Sequence, residues 1–156
     1  MNISELKLGS LLRHGGAHHH ERFTYDFVID GHSLAEALVG RRDLVGCLDA
    51  MDATINGLAV QALTLQKPPD VAPNRVMIFV CPECGDLGCG AITVAVTRKG
   101  THYNWSDFRH ENNYDPEMTL RYPHMGPFLF DAEQYESLLR GVMKETQDAK
   151  TKHRPT

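Results

Sequence analysis

The sequence predicts a single α+β domain: a mainly antiparallel sheet with one short early helix and one C-terminal helix packed on one side. Three observations lead there. A nearly unbroken apolar run at 75–81 is followed by an alternating run at 91–99, the pattern of a covered strand and a half-covered partner. A 3.6-residue apolar period appears in the C-terminal stretch beginning at Ala132. The length of 156 residues provides chain for one hydrophobic core.

Residues 1–22 read as a flexible N-terminal segment, because "SLLRHGGAHHHER" joins a Gly pair to several histidines. "HHH" invites a ligand cluster. The favoured reading is an exposed polar loop, since successive residues of an extended chain point in opposite directions. "FTYDFVID", residues 23–30, sets Phe23, Tyr25, Phe27 and Ile29 against Thr24, Asp26, Val28 and Asp30, which is a strand with an aromatic face. Ser33 then caps a short helix over "LAEALVG" that Gly40 ends.

Residues 43–66 carry apolar positions at both helical and strand spacing, and Asn56-Gly57 is a turn signal, so two strands are expected there. "KPPDVAPN" is an exposed connection within the same domain. "RVMIFVC" and "AITVAVTRKG" form a hairpin, and "HYNWSDF" adds a third antiparallel strand. Phe128 and Phe130 mark a final short strand. Asp131 caps the last helix, with Gln134 three residues on, and Tyr135, Leu138, Leu139, Val142 and Met143 share one of its faces. Residues 148–156 read as a flexible basic tail.

Composition narrows the function classes. Apolar residues at 42% and charged residues at 23% describe an ordinary globular chain. Sixteen basic against twenty acidic residues give a formal charge of -4, which offers nucleic acid no global attraction. No stretch reads as a secretory leader or a membrane span, so the expected location is cytoplasmic, with neither nucleic acid nor membrane as partner. In a reducing compartment thiols stay free unless they bind metal or cycle in catalysis.

The loop "VCPECGDLGCGA" holds three of the four cysteines. Cys81 and Cys84 have the C-x-x-C spacing that aims two thiolates at one ion, and "CPECG" is similar to half of a zinc-ribbon knuckle. A complete zinc site must add Cys89 and either Cys47 or a histidine such as His102, His110 or His124. The C-P-x-C pair also resembles a glutaredoxin-type active site, but the chain after Cys84 reads as turn and strand, without the helix N-terminus that acidifies such a thiol. A Cys84–Cys89 disulfide and a plain glycine-shaped turn are the remaining alternatives.

A second constellation, "WSDFRHENNYDP", offers a candidate cleft lined by Trp105, Asp107 and His110, with Asp107 and His110 as an acid/base pair or His110 as a ligand. The favoured reading makes the Asn-rich stretch a turn and Trp105 a buried anchor. Phosphate-loop, G-x-S-x-G and H-E-x-x-H motifs are absent from the sequence.

Taken together, "CGDLGCGAITV", "NWSDF" and "GPFLFDAEQY" resemble a family of small uncharacterised bacterial proteins with a C-G-x-x-G-C turn, a W-x-D-F strand and a P-F-x-F-D capped C-terminal helix. The resemblance covers 76–139 and implies a single domain with attention on Cys84 and Cys89; it brings no activity with it. The expected function is therefore a non-catalytic binding or adaptor protein with a protein partner, of immunity type by size and acidity alone, whose cysteine loop offers a site for structural zinc. The alternative is a small metal-dependent or thiol-redox enzyme that sets this loop against Asp107 and His110.

Overall fold

A computed structural model describes residues 2–152. Two antiparallel sheets and two α-helices build it. The first sheet contains β1 (Leu6–Arg13), β2 (Arg22–Ile29) and β3 (His32–Ser33) in that order. The second contains β4 (Val45–Gly46), β5 (Arg75–Val80), β6 (Ala91–Lys99), β7 (His102–Glu111) and β8 (Leu120–Arg121) in sequence order, and β9 (Phe128–Asp131) pairs with β7. Helix α1 spans Ala53–Leu63 and α2 spans Ala132–Lys152. The α+β architecture predicted from the sequence is the one found.

Three segments differ from the expectation. Residues 6–13, expected to be flexible, pair along their whole length with β2, from Leu6↔Ile29 to Arg13↔Arg22. Leu6 is fully buried, and burial of that side chain gives the strand the apolar anchor that Gly9 and Ser10 obscure in the sequence. Residues 14–21 do form the expected loop. Over 43–66 only Val45–Gly46 is strand, and Asn56-Gly57 lies inside α1 rather than at a turn. Asn56 is held there by burial: its Oδ1 accepts from the Asp49 amide at 2.5 Å, and its Nδ2 donates to the Asp49 carbonyl and to Thr146 Oγ1 at 2.8 Å. Asp52 caps α1 by accepting from the amides of Thr54 and Ile55.

The early helix is one wide turn, Ala35–Val39, with the Ser33 hydroxyl accepting from the Glu36 amide and Gly40 ending it at a φ of 58°. At the other end, Asp131 accepts from the Gln134 amide at 3.0 Å as predicted, and Tyr135, Leu139 and Val142 are buried. The helix continues through Lys152, past the point where a tail was expected; residues 153–156 lie outside the described residues.

Trp105 is the hub of the core. It meets Phe27, Phe130 and Tyr135 edge-on, and its Nε1 donates to the Tyr135 hydroxyl, which donates to the Leu63 carbonyl at the end of α1. Those contacts tie the first sheet, β7 and both helices into one core. β7 carries an extra residue between Ser106 and Arg109, opposite Thr93 and Ala95 of β6. This bulge brings Phe108 onto the side of Trp105, and Asp107 takes a φ of 54°. Among the described residues no helix is long and apolar enough to cross a membrane.

Candidate metal centre

The cysteine loop joins β5 to β6. Its backbone first closes a knuckle, with the Gly85 amide donating to the Cys81 carbonyl at 2.9 Å and the Asp86 amide approaching Cys84 Sγ at 3.4 Å. Asp86 then caps a single 3-10 turn, Leu87–Cys89, through the Gly88 amide. Gly85 and Gly90 take φ values of 65° and 90°, a region L side chains rarely enter, so the two reversals that fold the loop back depend on them.

These reversals gather the Sγ atoms of Cys81, Cys84 and Cys89 within 4.8 Å of one another. Cys84 and Cys89 are exposed, Cys81 is half-buried, and all three thiols are free. The Cys84 and Cys89 sulfurs stand 3.1 Å apart, well beyond the roughly 2.0 Å of a disulfide. Partial burial opposes ionisation of Cys81, but the backbone amides of Cys84 and Glu83, then the neighbouring thiols, hold its pKa below the ordinary thiol value. Hydrogen bonding with Cys84 and Cys81 instead pushes the Cys89 thiol up to about 12. Three adjacent sulfurs sharing their protons are a set that a cation can replace those protons in.

The first sheet braces this loop. Arg22 donates to the Pro82 carbonyl and to Asp49, while Arg13 donates to Glu83 at 2.8 Å and to both oxygens of Asp43. His19 and His20 of the "HHH" loop meet the same network, His19 at Arg13 and His20 at Glu83. They are exposed and lie outside the sulfur cluster.

Cys47 is not brought to the other three. It is buried at the start of the segment after β4, its amide donates to the Ile78 carbonyl, and burial raises its pKa. It therefore lies outside the sulfur cluster, on the wall of a cavity that Cys81 and Cys84 also line, correcting the four-cysteine ligand set. Trp105 is likewise core and lines no cleft. Asp107 is engaged by Arg109 at 2.5 Å, Arg75 at 3.3 Å and Arg121 at 3.7 Å; burial works against its charge, but these partners, Arg109 foremost, keep its pKa low. A carboxylate so occupied is a poor general base, and no hydrogen bond joins it to His110. Glu111 shares Arg75 and accepts from Thr93, so the cluster is a structural ion-pair network, and Arg109, Glu111 and Arg121 line a polar cleft of about 370 Å³ beside it.

His110 sits nearer the loop. A Cβ built on Gly90 would lie 3.1 Å from its Nε2, and burial, then Arg42, lowers its pKa. The loop does face this part of β7, as the enzyme alternative requires, but His110 is not among the clustered ligand atoms.

Sequence reasoning missed the cavity beside the sulfurs. It measures about 400 Å³, and its walls include Ile55, Leu58 and Ala59 of α1, Val80 of β5, and Cys81 and Cys84 themselves. The signal lay in 53–63, which reads as an apolar helix once Asp52 is recognised as its cap. Ile55 and Leu58 remain exposed on its rim, and Leu12 and Phe23, cross-strand partners, are exposed on the first sheet. No family model matches the chain, and no curated protein or solved structure is significantly similar to it.

Proposed function

We propose that this is a non-catalytic metal-binding protein in which Cys81, Cys84 and Cys89 hold a zinc ion as thiolates. The observation that carries the reading is the convergence of the three Sγ atoms within 4.8 Å. Tetrahedral zinc with bonds of about 2.3 Å separates its sulfurs by roughly 3.8 Å. The Cys84 and Cys89 sulfurs are 3.1 Å apart and all three lie within 4.8 Å, so that small side-chain rotations admit the ion. Thiolate ligands favour soft or borderline ions over magnesium or calcium.

Three protein ligands leave a coordination position for another donor, an arrangement shared by binding and catalytic sites. Binding is favoured because the nearby carboxylates are committed: Glu83 to Arg13, Asp86 to the turn it caps, and Asp107 to its arginines. None is free to move a proton beside the ion.

Elemental analysis of protein purified without an affinity tag should give about one zinc per chain. Thiol titration sharpens the test. In the zinc-loaded native protein all four thiols should react slowly; chelation should release three, and Cys47, largely buried in the cavity wall, should react more slowly than those three. Absence of zinc with three fast thiols would reduce the loop to a turn. Absence of zinc with only one fast thiol would identify a Cys84–Cys89 disulfide in its place.

A further inference from the structure

We infer that the metal's fourth position is filled by a small organic thiol whose hydrocarbon body lies in the cavity. The inference rests on the metal reading above and names the ligand it serves. Cys81 and Cys84 are at once clustered sulfur ligands and wall residues of the cavity, so an ion on both sulfurs sits at the cavity's end. Cys89 belongs to the cluster but not to the wall, which places the ion between the turn and the cavity. Among the described residues no histidine, carboxylate or fourth thiol joins the three sulfurs; Cys47 lines the cavity but stays outside the cluster.

The cavity favours a hydrocarbon over a polar body. Ile55, Leu58, Ala59 and Val80 supply apolar surface. Its charged residues already have partners: Arg22 is bound to Asp49 and the Pro82 carbonyl, Lys67 to Asp70, and Glu83 to Arg13. A polar ligand would find few unoccupied groups there, whereas a hydrocarbon loses nothing by leaving water. A volume of about 400 Å³ falls in the range of small-molecule sites. A sulfur donor matches the softness of the existing ligand set. On binding, the incoming S–H proton passes to solvent, the thiolate sulfur bonds to the metal, and the water in that position leaves.

The test uses the full chain loaded with cobalt(II) under anaerobic conditions, titrated with ethanethiol, butane-1-thiol and hexane-1-thiol, with 2-mercaptoethanol as the polar control. Each thiol should change the cobalt absorption bands, and the dissociation constant should fall about fourfold per added methylene until the cavity is full. Leu58→Gln, at an exposed position, and Ala59→Phe should both flatten that dependence without changing cobalt content. Bands indifferent to every thiol would overturn the inference, as would an affinity independent of chain length, which places the fourth position in open solvent. Failure to take up cobalt at all would remove the metal reading and this inference together, and is separately visible as an absence of thiolate-to-cobalt absorption.

Discussion

Cys84→Ser will weaken zinc binding by about a hundredfold to a thousandfold, while Cys47→Ala will leave it unchanged. Structural zinc sites with four protein ligands bind with about 10–16 kcal/mol, or roughly 2.5–4 kcal/mol for each ligand, and a serine hydroxyl stays protonated where a thiol gives up its proton. Cys84 is the ligand of choice for the test because it is exposed and its side chain fills no core space. Its loss is therefore felt in metal affinity and hardly at all in the fold of the metal-free chain. Cys47 supplies the contrast: it is buried at 8% exposure and outside the cluster, so removing its sulfur costs a little packing and no ligand. Competition against a chromophoric chelator measures both. Equal losses from the two substitutions would mean that Cys47 reaches the ion after all, and no loss from Cys84→Ser would remove the loop from metal binding.

That contrast also marks how far the sequence could be read. The sulfur triad was legible because Cys81, Cys84 and Cys89 are close in the chain and the intervening glycines signal reversals; local geometry alone brings them together. Cys47 enters a ligand set only by counting to four, and its true place depends on β4 pairing with β5, a contact between distant segments. The same division runs through the fold. The C-terminal helix has a cap and a full apolar face within one stretch, and it was found with its residues in place. β1 has no such local signature: it is a strand because β2 pairs with it. In α1, Asn56-Gly57 has the local character of a turn. The buried bonds of Asn56 to Asp49 and Thr146, made only in the folded chain, outweigh that preference. The cavity needed α1 and the loop together, so it could not be seen before the helix was.

Gly46→Ala will cost the protein a large share of its stability. A Cβ at this position would stand 2.0 Å from the Tyr25 carbonyl oxygen and 3.0 Å from its carbon, and both are backbone atoms that cannot swing aside as a flexible side chain would. β4 would have to move away from β2. The Gly46 amide donates to Thr24 Oγ1 at 3.0 Å, and flanking bonds run from the Tyr25 amide to the Leu48 carbonyl and from the Ala50 amide to the Phe23 carbonyl. A shift that relieves the clash strains these bonds, each worth about 1 kcal/mol with more lost where a buried group is left unpaired, and opens packing around fully buried Leu48 and Phe27. A total of about 4 kcal/mol or more follows, against the roughly 5–15 kcal/mol that holds a domain of this kind together. The control is Gly57→Ala in α1, where the nearest atom to a new Cβ is Met143 Cε at 3.9 Å. That substitution adds no clash, removes a flexible residue from a helix interior, and should stabilise by about 0.5–1 kcal/mol. Urea denaturation of both variants reads the two signs directly. A neutral Gly46→Ala would show that the first sheet is not seated against β4, and the bracing of the cysteine loop by Arg13 and Arg22 would then lose its basis.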